Sequence, residues 1–252
     1  MNDQFKKADP DVPLSASMQE LQRVSPAFFE AYEELAQAAE AQGALSPKTR
    51  SLLMVAGSSS VTNMFAPGVR THVKAALSHG ATHVEVMEVF QLVASLALHS
   101  CTFGVPILFD ELRKAGITPV EAPGYEGERE KLKEEFIRIR GYWGEFWDQV
   151  LLLSPAFFKA YLRFSAVPWK SGQLDTKTKE LVYIAIDCNA THLYEQGLRV
   201  HIRNALNAGA TPIEIMAVFQ LMATLGMQTC EIGVPILNGE SKALGLPVPG
   251  VA

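Results

Sequence analysis

Apolar positions along this chain recur with a helical period. Val69, Val73, Ala76 and Leu77 fall at i, i+4, i+7 and i+8, and Leu198, Ile202, Ala205 and Leu206 repeat that spacing, the stripe one face of a helix needs to reach a core. Gly80 and Gly209 follow as stops, while Thr82 and Thr211, each with a glutamate three residues on, have the spacing of a capping box. These signals predict helices from about Val84 to Leu98 and from Ile213 to Met227. Ser46 and Asp175 are N-caps for helices running to about Thr62 and Thr191. No stretch alternates polar and apolar residues with the strand period, so the expected fold is all-α, with about five or six helices per repeat.

The pattern occurs twice. SPAFFEAY from Ser25 returns as SPAFFKAY from Ser154, HVKAALSHGAT from His72 as HIRNALNAGAT from His201, and VFQLVASLALHSCTFGVPIL from Val89 as VFQLMATLGMQTCEIGVPIL from Val218, each shifted by 129 residues. A constant shift leaves no gap between the copies, so the chain reads as a tandem duplication whose halves, residues about 20–110 and 149–239, should superpose. The expected division is an N-terminal arm over 1–15, a first repeat over 16–112, a linker rich in proline and glycine over 113–126, and a second repeat over 127–252.

Composition narrows the function classes. Lys+Arg 22 against Asp+Glu 27 gives a net charge of −5, the wrong sign for neutralising phosphates, so no nucleic-acid partner is expected. The chain is 48% hydrophobic and only 19% charged, below the usual charged fraction of about 25%, which fits surface buried in a homo-oligomer. Three cysteines, Cys101, Cys188 and Cys230, suit a reducing compartment. With no apolar leader and no unbroken apolar run near the roughly 18 residues of a membrane helix, a cytoplasmic protein without a membrane partner is expected.

RSLLMVAG (Arg50–Gly57), RTHVKAALSHGAT (Arg70–Thr82) and the Gly-Val-Pro at 104–106, with their second-repeat counterparts, resemble the carboxymuconolactone decarboxylase family, which shares an all-helical fold with the alkylhydroperoxidase D-like proteins. The resemblance covers nearly the whole chain. In the peroxidase branch a Cys-x-x-Cys ends four residues before the matching histidine; here those positions hold Phe65 and Gly68, and Tyr194 and Gly197, so that thiol chemistry is missing. The resemblance implies 4-carboxymuconolactone decarboxylase-like chemistry, a carboxy-lyase reaction of aromatic catabolism that needs no cofactor. Its substrate would be a small acidic lactone. Two alternatives stay open: a peroxidase-related protein and a non-catalytic small-ligand-binding protein. Single-repeat relatives that assemble as six copies imply a trimer for a fused pair.

Both histidines of the repeat, His72 and His201, sit in the apolar stripe, either as buried core groups or as proton carriers. Arg70, Lys74, Arg199 and Arg203 lie about 200° round the helix from them, on the opposite face. Glu180, Tyr183, Asp187 and Thr191 form one polar stripe where the first repeat has Ser51, Met54, Ser58 and Thr62. A carboxylate facing an imidazole is the usual arrangement for tuning a proton donor, so His201 with Glu180 is the favoured catalytic pair, and His72, facing Ser51, the weaker site. Tyr183, Asp187, Cys230, Cys101 and His99 are candidates for substrate contact, the two cysteines reading equally as small buried hydrophobes. His192, Glu195 and His201 could be drawn as a metal set, but nine residues between the histidines put them half a turn out of register, and no metal is expected.

Overall fold

The structure, a computed structural model, describes residues 14–41 and 43–249. Apart from Leu14 and Ser15, the expected N-terminal arm lies outside them. Among the described residues there are helices and no strands. The first repeat forms α1 (Ala16–Val24), α2 (Pro26–Glu40), α3 (Pro47–Ser59), α4 (Ala66–Ser78), α5 (His83–Ser95) and α6 (His99–Lys114), with a 3₁₀ turn at Leu96–Leu98. After α7 (Arg129–Arg140), the second forms α8 (Phe146–Leu153), α9 (Pro155–Ser165), α10 (Val167–Ser171), α11 (Thr176–Asp187), α12 (Glu195–Asn207), α13 (Pro212–Thr224) and α14 (Gln228–Ala243), with a 3₁₀ turn at Leu225–Met227. The limits of α4, α5, α6 and the first 3₁₀ turn recur in α12, α13, α14 and the second turn at the shift of 129 read from the sequence.

The caps act as the sequence indicates. Ser46 Oγ accepts from the Thr49 amide at 3.1 Å and Asp175 Oδ1 from that of Thr178 at 2.9 Å; Thr211 and Glu214 complete a reciprocal capping box, and Thr82 and Glu85 make the same two bonds. The helices begun at Ser46 and Asp175 stop at Ser59 and Asp187, short of Thr62 and Thr191. The backbone turns out to bring Phe65 N to Ser58 O and Tyr194 N to Asp187 O. Both turns pass through a non-glycine residue in the left-handed region, Met64 (φ 50°) and Leu193 (φ 47°), a strain of order 1–3 kcal/mol each. That turn starts α4 and α12, the helices carrying the two repeat histidines.

Two compact units emerge that cut across the sequence repeats: one joins residues up to Phe90 with those from Leu174 onward, the other spans Gln91–Gln173. In the first, α3 and α11 are buried neighbours, with Leu52, Leu53, Val55, Leu181, Val182 and Ile184 all sealed. Thr62 Oγ1 meets its own repeat counterpart, Thr191 Oγ1, at 3.1 Å, and Asn189 Nδ2 donates to Gly57 O at 3.1 Å. A Cβ at Gly57 would lie 2.7 Å from Leu225 Cδ1 and Met222 Sδ, so any larger residue here requires those two side chains to shift. Here α1 packs on α14. In the second unit α8 packs on α6 over Phe136, Trp147 and Phe158. Each repeat's first helix thus covers the other repeat's last.

Counted through the 3₁₀ turns, His83–Lys114 and Pro212–Ala243 are helical runs of 32 residues, each with a window long and apolar enough to cross a membrane, although no unbroken apolar stretch of that length was expected. In the first run no charged residue stands between Glu88 and Asp110, and 28% of its window is buried within the protein. Half of the second window is buried within the protein, as in a core helix.

Candidate functional site

The first compact unit holds a cavity of about 200 Å³ bounded by α1, α2, α3, α4, α13 and α14. α2 presents Tyr32, Ala36 and Glu40, spaced i, i+4, i+8 and so on one face. α3 adds Arg50, Ser51 and Met54, α4 adds His72, and α14 adds Glu231. Arg50 Nη2 lies 3.3 Å from Glu40 Oε2 and its Nη1 donates to Leu45 O at 3.3 Å, leaving part of a five-donor guanidinium for a ligand. Burial lowers the His72 pKa to about 4, so the imidazole is neutral at pH 7. Burial, reinforced by the Glu231 and Glu40 carboxylates, raises Tyr32 to about 12.

The first repeat corrects one expectation. Ser51 Oγ is bonded at 2.9 Å to His79 Nδ1 rather than to His72. His79 has no counterpart in the second repeat, where Ala208 takes its place.

The second repeat brings the expected pair together and then closes over it. Glu180 Oε2 sits 2.6 Å from His201 Nδ1, Asn204 Nδ2 donates to Glu180 Oε1 at 3.3 Å, and the Tyr183 ring lies 4.5 Å from the imidazole centroid. His201 is 3% exposed, Glu180 2% and Tyr183 0%. The reason is in the substitutions: Tyr183 replaces Met54, Asn204 replaces Ala75 and Glu180 replaces Ser51, each adding bulk or a hydrogen-bond partner around the ring. Asp187, also sealed, is raised to about 8 by burial and then by the nearby Glu180 charge. The cation equivalent to Arg50 is Lys179, itself buried and held 3.1 Å from Glu88 Oε1.

The remaining candidates lie outside the cavity. Cys230 packs with Met18, Leu21, Phe29 and Met227, and Cys101 with the Phe136–Trp147 cluster; neither lines the cavity. His99 opens α6, its carbonyl accepting from Thr102 Oγ1 at 3.2 Å. Glu195 is engaged by Arg199 on the exposed face at 2.6 Å, away from buried His201. Arg70, Lys74, Arg199 and Arg203 are exposed, as the helical phase required. Arg50, Tyr32, Glu40 and Glu231 were not singled out from sequence. Arg50 directly precedes Ser51 in the RSLLMVAG element and matches a cation, Lys179, in the second repeat, while Glu231 differs from its counterpart Thr102 and was visible as a departure from the repeat.

The model of the carboxymuconolactone decarboxylase family matches residues 26–100 and 155–230, one match in each repeat. A Burkholderia xenovorans LB400 crystal structure, solved at 1.70 Å and assigned provisionally as a gamma-carboxymuconolactone decarboxylase subunit, is 40% identical over 92% of this chain and 93% of its own, with a TM-score of 0.87. Among curated proteins no significant match is found. Both repeats, their order and their helical fold place this chain in the carboxymuconolactone decarboxylase family.

Proposed function

We propose that the protein is a cofactor-independent decarboxylase of a small carboxylated lactone, and that the reaction takes place in the first-repeat cavity at His72. The observation that carries this reading is the cavity's combination of a neutral imidazole with a guanidinium. Arg50 receives the substrate carboxylate by exchanging it for Glu40, a step helped by the partial exposure of that ion pair. The bound anion favours the protonated form of His72, so substrate binding draws a proton onto the ring. When the carbon–carbon bond breaks, CO₂ leaves, the electron pair enters the enolate of the lactone, and the His72 proton passes to carbon. The imidazole returns neutral and ready to reload. The same step could not be driven at His201, whose ring is covered by Tyr183 and bonded to Glu180.

The test is CO₂ release from small carboxylated lactones, 4-carboxymuconolactone and hydroxylated analogues among them, by wild type and His72→Gln. General acid–base catalysis contributes about 10²–10⁴-fold, so a loss below tenfold removes His72 from the role. As in the resemblance-based expectation, three chains form the assembly in this reading. Large exposed apolar side chains recur at counterpart positions, Phe103 with Ile232, Ile107 with Ile236 and Leu108 with Leu237, which is what symmetric contacts between copies would cover.

A further inference from the structure

The cavity has two polar ends, and the decarboxylase reading uses only one. Tyr32 and Glu40 lie eight residues apart on one face of α2, about 12 Å along the helix axis. At the Glu40 end stands Arg50. At the Tyr32 end stands Glu231, brought in by α14 of the other repeat, next to Ser15 at the start of α1. Glu231 is half-buried, its Oε2 accepts only a long bond from Ser15 Oγ (3.4 Å), and its Oε1 and the Tyr32 hydroxyl have no hydrogen-bond partner among the described residues. Half-burying a carboxylate without donors is unfavourable unless something in the cavity supplies them. No lysine or arginine lines that end, and burial raises the Glu231 pKa, so the protein leaves the hydrogen bonds of this carboxyl to a ligand donor. The counterpart of Glu231 is Thr102 and that of Glu40 is Trp169, so neither acidic position belongs to both repeats.

We propose that Glu231, with Tyr32, is the specificity determinant of this cavity, and that its ligands are small carboxylates carrying a hydroxyl group at the end remote from the carboxylate. Arg50 takes the carboxylate; Glu231 Oε1 accepts from the hydroxyl, and Tyr32 completes the hydrogen bonding around it. The proposal rests on the reading of Arg50 as the carboxylate anchor, but its test measures binding rather than turnover.

Benzoate and 4-hydroxybenzoate differ only in the group that Glu231 would read. Calorimetric titration should show the hydroxylated probe binding wild type about tenfold more tightly or better, a difference of about 1.4 kcal/mol per factor of ten. Glu231→Leu should bring the two probes within threefold of one another, whereas Glu231→Gln, which keeps an acceptor oxygen, should retain a clear preference. Arg50→Gln should weaken both probes together. Equal affinities in wild type, a preference that survives Glu231→Leu in protein with a wild-type circular dichroism spectrum, or no binding of either probe would each overturn the proposal. Failure of CO₂ release with an intact hydroxyl preference would instead remove the decarboxylase reading and leave this one standing.

Discussion

His72 and His201 occupy one position in two copies of the same helix pair, yet one ring opens onto a cavity while the other lies beneath Tyr183, bonded to Glu180. Their cations diverge in parallel. Arg50 is paired with a partly exposed glutamate, whereas Lys179 is locked in a buried pair with Glu88. A charge pair out of water is costly to break, so the second repeat has its charges tied into the core, while the pair in the first stays partly exposed. Around the two rings the repeats differ at a few positions, Met54 against Tyr183 and Ala75 against Asn204 among them.

The sharpest way to break this contrast is to truncate both rings. His72→Gln should lose about 10²–10⁴-fold in turnover with little change in melting temperature. His201→Gln should leave Glu180 without its imidazole and destabilise by about 3–5 kcal/mol, seen in a denaturant titration. Chemistry lost in the second variant at full stability, or stability lost in the first, would reverse the assignment.

Exchanging the filling residues comes next. Met54→Tyr should close the first cavity and weaken benzoate about tenfold or more while the protein stays folded. Tyr183→Met should cost about 1–3 kcal/mol through lost packing and ring contact, measured by thermal melting.

pH provides a smaller effect with a defined sign. Asp187 has its folded pKa raised from 3.8 to about 8, so the stability it contributes is present below pH 3.8 and lost as pH rises toward 8. Asp187→Asn, which cannot ionise, should melt higher than wild type at pH 9 and lose that advantage by pH 4.

The fold was legible because helical period, caps and the shift of 129 agreed with one another: Thr211 and Glu214 form the expected capping box, and α5 and α13 start where their threonines indicate. The ends of α3 and α11 were not, since no glycine marks the left-handed turns at Met64 and Leu193. At the site, the Glu180–His201 contact followed from the stripe, but its burial depends on Tyr183 and Asn204 packing from two helices, which a one-dimensional pattern does not register. His79 capturing Ser51 is likewise a contact across 28 residues. Glu231 reaches the cavity only because α14 of one repeat packs on α1 of the other, a crossing that no local spacing encodes.

The central claim is that ligand and proton meet at His72. The direct measurement is ¹⁵N NMR of the six histidine rings during titration with benzoate at pH 7. Free His72, with its pKa near 4, should show a neutral ring, and saturation should move it toward the imidazolium pattern while His201 stays unchanged. A His201 ring that responds while His72 remains neutral and unshifted would contradict the claim.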